Sequence, residues 1–208
     1  MCSSWVPLRY TFVEVTTAVA FLVLWSLFKE DVLLFLVHAV LAAILIVIAV
    51  YDVRHYIIPN ETVLGVTLVA AALLGFGGLS SSFSGAVSAL LSGIGAFIFF
   101  GGLWFISKGK WLGFGDAKLA FPLGVIVGFP AVFSMVILSF WIGAVVSLFL
   151  LALQRFVNRG KHRLPFLSNH LTIKSEVPFA PFLIAAFVLV EYFNANIFDI
   201  TTWFFWTM

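Results

Sequence analysis

The sequence has little charge. Charged residues make up 10% of its 208 residues, against roughly 25% in soluble globular proteins, whereas hydrophobic residues make up 63%. A soluble domain of this length leaves too much surface in water to accommodate such a composition. The scarcity of charge therefore argues against a water-soluble fold and predicts a single membrane-embedded domain over residues 1–208.

Cysteine is nearly absent as well. The one cysteine, Cys2, excludes an intrachain disulfide. The four histidines, His38, His55, His162 and His170, form no ligand-spaced cluster with cysteine, so we predict no metal and no cofactor. The formal net charge of +2 is too small to indicate nucleic acid. Membrane lipids are the partners that the composition predicts.

Long apolar runs are what the sequence has in abundance. A membrane-spanning helix needs about 20 apolar residues, with a range of about 17–25. Six runs are close to this length, and a seventh is shorter and interrupted by Pro122, Gly124 and Gly128. The pattern predicts an all-α, polytopic transmembrane helix bundle of six to seven membrane segments. The six runs are Phe12–Phe28, Val32–Val50, Thr62–Leu79, Gly85–Ile106, Ala131–Leu153 and Val177–Ala195, and the seventh is Ala117–Phe129.

The basic residues predict an orientation. If the amino terminus is cytoplasmic and all seven runs cross, ten of the eleven Lys and Arg residues face the cytoplasm. Lys29 alone then lies on the other side. Cytoplasmic loops of membrane proteins are enriched in Lys and Arg, so this asymmetry supports a crossing by Ala117–Phe129. The ten residues are Arg9, Arg54, Lys108, Lys110, Lys118, Arg155, Arg159, Lys161, Arg163 and Lys174.

Small residues recur within the fourth run. Gly85, Ala89 and Gly93 are spaced four residues apart, with Gly101 further along. This spacing is typical of a helix face that approaches another helix closely. It predicts a tight helix contact and no chemistry.

Two acidic residues stand at the ends of apolar runs. Asp52 follows the second run and Asp116 precedes the seventh, so the orientation above places both at one face of the membrane. Two neighbouring carboxyl groups in a poorly hydrated site cannot easily both ionise. One can then act as a base toward water while its protonated partner polarises a carbonyl group, as in aspartic proteases. The alternative is that Asp52 pairs with Arg54 or lipid headgroups and that Asp116 caps a helix.

Four segments of the sequence resemble the type IV prepilin peptidase family. DVRHYIIPN, from Asp52 to Asn60, resembles the first aspartate motif of the family, and GFGDAKL, from Gly113 to Leu119, resembles its GxGDxKL motif. VPFAPFL at 177–183 is similar to the segment IPFGPFL, with Ala180 at the position of the middle glycine. RYTFVE at 9–14 resembles the stretch RYPLVE. The four segments follow the family order.

The resemblance implies a GxGD-type membrane aspartic endopeptidase. Such an enzyme removes the short basic leader peptide of type IV prepilins or pseudopilins at the cytoplasmic face of the inner (plasma) membrane. Asp52 and Asp116 match the catalytic pair. Seven further residues of the matching motifs are expected to bind substrate or to shape the site: Arg54, Pro59, Gly113, Gly115, Lys118, Pro178 and Phe179.

The family often has a second activity, methylation of the new amino terminus. In the family this activity belongs to a cytosolic segment with two CxxC pairs, which another membrane helix precedes. Cys2 matches the last of those four cysteines. We therefore expect a short form of the family that lacks the methylase-type segment, with neither N-methyltransferase activity nor a zinc site.

Two other functions agree with the same residues. A proton- or ion-coupled transporter could use Glu14, His38, Asp52, Asp116 and Glu191 as a relay. Its acidic groups would be distributed through the depth of the membrane, whereas the two aspartates are predicted to lie at one level. A catalytically silent component of a pilus or secretion assembly is the third possibility. The paired aspartates favour the peptidase.

Overall fold

The structure is a computed structural model that describes residues 8–76, 82–159 and 178–197. Side chains are described for residues 10–76, 82–153 and 178–197. Cys2, His162 and His170 lie outside the described residues, as do the predicted run boundaries at Leu79 and Val177 and the basic residues of the loop 160–177.

The described residues form seven helices and no strand, which confirms the all-α prediction. The helices are α1 (Leu8–Phe28), α2 (Val32–His55), α3 (Asn60–Gly75), α4 (Phe83–Ser107), α5 (Phe114–Val127), α6 (Ala131–Arg159) and α7 (Ala180–Phe193). Each helix contains most of one predicted apolar run. The helix α2 extends beyond its predicted apolar run, which ends at Val50, and therefore includes Asp52.

Local sequence explains where the helices begin and end. The Asp31 side chain accepts a hydrogen bond from the Leu34 N–H at 3.0 Å and so caps the start of α2. At the other end Tyr56 adopts a left-handed conformation, with φ of 55°, and donates its N–H to the Asp52 carbonyl oxygen. A left-handed residue of this kind terminates many helices. Pro59 then precedes the first residue of α3.

Among the described residues, four helices are long and apolar enough to cross a membrane. They comprise Tyr10–Phe28, Val32–His55, Phe83–Ser107 and Ala131–Leu153. The other three helices, α3, α5 and α7, have 16, 14 and 14 residues. At a rise of 1.5 Å per residue, 14 residues cover about 21 Å, less than the roughly 30 Å of the hydrocarbon core. Irregular backbone at the ends of such short helices is tolerated where protein covers it.

The directions of the helices follow from contacts between their ends. Lys118, near the start of α5, bonds to Asn60 at the start of α3. Ala180 at the start of α7 bonds to Asp52 near the end of α2. The helices α3, α5 and α7 therefore begin at the end of the bundle where α2 ends. The relative directions of α2, α3, α5 and α7 therefore match the predicted alternation.

Four helices form a ring, and α4 and α6 complete the core from outside it. In this ring α2 packs against α3, α3 against α5, α5 against α7, and α7 against α2. Outside it, α1 packs on α2, α4 on α5, and α6 on α7. Nine of the 14 residues of α5 are buried, and Leu119 and Leu123 are fully so. Because α5 packs against α3, α4, α6 and α7, it is the central helix of the bundle. The end of α2 lies beside the starts of α5 and α7.

The predicted tight contact of the fourth run is confirmed at Gly93. A Cβ atom built on Gly93 would lie 2.6 Å from the Phe121 carbonyl oxygen of α5, and one built on Gly124 would lie 3.1 Å from the Gly93 Cα atom. The two backbones therefore approach each other across a pair of glycines, as small residues allow in membranes. Gly101 has open space around it and does not take part.

Candidate active site

Asp52 is held by the start of α7. Its Oδ2 atom accepts a hydrogen bond from the backbone N–H of Ala180 at 3.2 Å. The Asp52 side chain is only 5% exposed, and Ala180 is completely buried. Because the first N–H groups of a helix have no partner within the helix and carry partial positive charge, this contact stabilises a carboxylate. The first residue of α7 thus holds the Asp52 side chain of α2 in place.

Asp116 is held by the turn that precedes its own helix. It lies in the first turn of α5, where its Oδ2 atom accepts the backbone N–H of Gly113 at 3.1 Å. The side chain is 6% exposed. The other oxygen, Oδ1, is buried and has no hydrogen-bond partner among the described residues. A buried carboxylate oxygen without a partner is rare in a folded protein and often marks a functional atom.

The two carboxyl groups lie at the same end of the helix ring, on the two helices that face each other across it. The loop after α2 packs through Ile58 on Gly115, the residue before Asp116, so the end of α2 adjoins the start of α5. Each accepts an N–H group at a helix amino terminus, which favours negative charge, while burial disfavours it. Two carboxyls in these surroundings are suited to share one proton between them.

A cavity of about 520 Å³ lies next to this pair. Its walls include Leu112, which precedes Gly113, and Phe179, which precedes Ala180. The two segments that hold the aspartates through N–H groups therefore also line the cavity. Its other wall residues are Phe99, Leu103, Trp111, Phe140, Gly143, Ser147 and Phe182. A molecule in the cavity would have a mainly aromatic environment, and the aspartates themselves are not among the wall residues.

Comparison with known proteins assigns the chain to a family. A sequence model described as the type IV leader peptidase family matches residues 39–148, which include both aspartates and more than half of the chain. The chain belongs to that family. A prepilin leader peptidase/N-methyltransferase from Pectobacterium carotovorum subsp. carotovorum is 28% identical over 148 residues, covering 71% of this chain and 52% of that protein. The chain thus spans about half the length of this relative. No solved structure matches.

The glycines of the family motif lie close to the aspartates. Gly113 contacts Asp116 as described, and a Cβ atom on it would lie 3.3 Å from Asp116 Oδ2. A Cβ on Gly115 would lie 3.1 Å from the Cβ of Ile58, which belongs to the loop between α2 and α3. Gly115 therefore lets the loop part of the first aspartate motif pack directly on the second motif.

Three further predicted site residues, Phe179, Pro178 and Pro59, lie just before the starts of α7 and α3. Phe179 immediately precedes α7 and packs on Phe140 with a ring separation of 5.2 Å, and Pro178 precedes it in the chain. The Pro59 carbonyl oxygen accepts the Thr62 hydroxyl at 2.8 Å at the start of α3. Pro59 and Phe179 shape the segments around the site.

Two predicted residues are cationic. Lys118 lies half-buried one turn into α5, and its ammonium group donates to the Asn60 Oδ1 atom at 3.0 Å. Arg54 is exposed at the end of α2, and no contact joins it to either aspartate in the part of the chain that the structure describes. The described contacts thus connect Lys118 to the neighbouring helix and leave Arg54 at the surface.

Three residues of the site were not predicted to have a role. Ala180 provides the N–H donor to Asp52, Ile58 packs on Gly115, and Asn60 binds Lys118. Ala180 and Asn60 both lie within the segments that carry the family resemblance, so their position was the available signal. The donor function of Ala180 resides in its backbone, which side-chain chemistry does not reveal.

The residues of the transporter alternative are separated along the bundle. His38, near the start of α2, has Nδ1 2.9 Å from the Leu34 carbonyl oxygen and stacks on Phe28. His38 lies near the start of α2, whose other end carries Asp52. Glu191 lies near the end of α7, whose start contacts Asp52. Both residues therefore lie toward the end of the bundle opposite the aspartates. The described residues contain no group of three His, Cys, Asp or Glu side chains that could hold a metal ion.

Proposed function

We propose that this protein is an aspartic endopeptidase that removes the short basic leader peptide of prepilins or pseudopilins, with Asp52 and Asp116 as its catalytic pair. The observation that carries the proposal is that two buried carboxyl groups on different helices lie at one end of the bundle, where Ile58 after α2 packs on Gly115 before Asp116. Membership of the type IV leader peptidase family supports a peptidase over a transporter. The basic-residue asymmetry of the sequence supports placing that end at the cytoplasmic face of the inner membrane.

The reaction needs one ionised and one protonated carboxyl group. The ionised carboxylate takes a proton from a water molecule, whose oxygen attacks the carbonyl carbon of the scissile amide. The protonated carboxyl donates its hydrogen to the carbonyl oxygen. When the tetrahedral intermediate collapses, the C–N bond breaks and the leaving amine takes a proton from the carboxyl group that had acted as the base. The other carboxylate takes a proton back from a hydroxyl of the intermediate, which restores the pair. No covalent intermediate with the protein forms.

The N–H contacts keep the two groups in place during these steps. Gly113 and Ala180 each bind one Oδ2 atom, which leaves the Oδ1 atom of Asp116 without a partner among the described residues. That oxygen is available to water or to the scissile carbonyl. Holding reactive groups in one geometry lowers the entropic cost of the transition state.

The neighbouring cavity would take an apolar side chain of the substrate. Its walls are mainly aromatic and aliphatic, and such pockets bind large apolar groups by removing them from water. Since Leu112 and Phe179 adjoin the residues that hold the aspartates, the bound side chain would belong to a residue beside the scissile bond.

Methyl transfer is not part of the proposal. The name of the Pectobacterium relative includes N-methyltransferase, but the residues that we connect with a reaction here are the two aspartates and their supports. The third candidate, a silent assembly component, has no observation in its favour.

The test is a cleavage assay with the purified full chain. The substrate is a prepilin-type precursor with its basic leader and apolar helix, presented in detergent micelles, and mass spectrometry identifies the products. We expect one cut that separates the leader from the apolar helix, and no cut by the double variant Asp52→Asn/Asp116→Asn. Cleavage by the double variant would contradict the proposal. Proton flux in proteoliposomes without cleavage of any precursor would favour the transporter.

A further inference from the structure

A second concave surface lies away from the aspartate pair, on the outside of the bundle. It is a groove of about 500 Å³ between α3, α4 and α5. Its apolar walls are formed by Val63, Leu64, Ile94, Phe97 and Phe121. Leu64 is 60% exposed and Ile94 is 44% exposed. These side chains face the surroundings of the bundle, which are hydrocarbon when the protein is in a membrane.

The groove has a polar end. Lys118 and Asn60, which both line it, lie at the starts of α5 and α3 and therefore at the end of the bundle that carries the aspartates. From there the groove extends along α3 past Val63 and Leu64 to Thr67. Its polarity thus changes along the helix axis, from an ammonium group at the membrane boundary to apolar side chains deeper in the bundle.

The Lys118 cation has only uncharged partners within the described part of the chain. Its Nζ atom donates to the Asn60 amide oxygen at 3.0 Å and lies 5.0 Å from the centre of the Phe114 ring. Neither partner neutralises its charge. An ammonium group at a membrane boundary is stabilised by an anion, and none of the contacts in the structure provides one.

We propose that this groove binds one anionic phospholipid, with the phosphate group at Lys118 and Asn60 and an acyl chain along the wall formed by α3 and α4. The complementarity is of two kinds, since the cation matches the headgroup and the apolar walls match the chain. Basic pockets between transmembrane helices are known to bind anionic lipid headgroups. The binding itself does not depend on the proposed peptidase activity.

The two halves of the groove exclude other ligands. A soluble anion such as inorganic phosphate would use Lys118 and leave the apolar walls empty. A zwitterionic lipid would use the walls and give up most of the attraction of the ammonium group. Of these three ligands, only an anionic lipid uses both the Lys118 cation and the apolar walls of the groove. Lys118 follows Asp116 by two positions on α5, so the lipid would also immobilise the first turns of the helix that carries this aspartate.

The test measures lipid binding to the purified full chain in detergent by native mass spectrometry. The probes are phosphatidylglycerol and phosphatidylcholine with identical acyl chains, and inorganic phosphate serves as a competitor. We expect the wild-type chain to prefer phosphatidylglycerol, and Lys118→Gln to reduce that preference about five-fold, since one lysine near an anionic surface contributes about 1 kcal/mol. Lys118→Arg should retain it.

Two further variants separate the groove from general charge effects. Lys110→Gln removes an exposed positive charge from the loop between α4 and α5 and should leave the preference unchanged. Leu64→Trp fills the groove and should weaken binding of both lipids without changing Lys118. Size-exclusion profiles identify any variant that does not fold. If Lys118→Gln does not fold, Lys118→Arg still tests the role of the charge, because arginine keeps it. The proposal is wrong if Lys118→Gln and Lys110→Gln behave alike, if Leu64→Trp has no effect, or if inorganic phosphate displaces the lipid completely.

Discussion

The backbone N–H of Ala180 lies 3.2 Å from the Oδ2 atom of Asp52, although the two residues are 128 positions apart in the chain. This hydrogen bond joins the start of α7 to the last turns of α2. It gives the VPFAPFL segment a definite physical task, which is to hold the carboxyl group of the first aspartate motif. Asp116 is held by the equivalent type of contact from Gly113.

The contact can be removed without removing a side chain. Ala180→Pro eliminates the N–H donor at the first position of α7, where proline is common. It also disfavours the α conformation of Phe179, so thermal unfolding is measured beside cleavage to identify any loss of folding. A hydrogen bond to a charged group contributes about 1.5–3 kcal/mol, so we expect the cleavage rate to fall about ten-fold to 100-fold. Single-turnover cleavage of a prepilin-type precursor measures this effect.

Ala180→Val is the matched control. Ala180 is completely buried, so both substitutions add volume to the same place, but valine keeps the N–H group. The account predicts that Val retains clearly more activity than Pro. Equal losses in both variants would show that packing at Ala180 matters and that the hydrogen bond does not.

The close approach of α4 and α5 predicts a stability effect. In Gly93→Ala the new Cβ atom would lie 2.6 Å from the Phe121 carbonyl oxygen, which belongs to the backbone and cannot rotate away. Overpacking of this kind costs about 1–3 kcal/mol, so thermal unfolding in detergent should begin at a lower temperature. Gly101→Ala, on the same helix with open space around it, should unfold no earlier than the wild-type chain. Identical melting of the two variants would contradict the contact.

The aromatic cavity predicts a change in substrate preference. Ser147 lines the cavity, and Ser147→Phe would narrow it. We expect kcat/KM to fall about ten-fold for a precursor with a large apolar residue beside the scissile bond, and less for one with alanine there, because less volume is required. Leu148→Phe is the control, since Leu148 is 66% exposed on the same helix. An equal fall for both precursors would exclude a role in side-chain selection.

The sequence was sufficient to predict the helices and the relative directions of α2, α3, α5 and α7. Apolar runs and basic loops are strong signals in membrane proteins, because every exposed polar group in hydrocarbon is costly. The short run Ala117–Phe129, with Pro122 inside it, had the weakest signal. It becomes the buried helix α5 because its neighbours cover the backbone that proline leaves without a partner.

The details of the site were not accessible in the same way. The sequence indicated Asp52 and Asp116 as a pair, but the apolar run that predicts the second helix ends at Val50, whereas α2 ends at His55. Helices continue through polar residues where tertiary contacts permit it, so an apolar run underestimates the helix. The donor function of Ala180 depends on a backbone group and on the packing of α7 against α2, neither of which has a sequence pattern.

The most direct test of the central claim compares single-turnover cleavage by Asp52→Asn, Asp116→Asn, the combination of both, and Asp31→Asn. Asp31 caps α2 away from the site, and asparagine caps helices as well as aspartate does. Loss of a general acid or base lowers rates about 10²–10⁴-fold, and groups that act as a unit lose little more when both are removed. We therefore predict near-complete loss in either single site variant, no substantial further loss in the double variant, and normal cleavage by Asp31→Asn. Normal cleavage by a folded Asp52→Asn or Asp116→Asn protein would contradict the account.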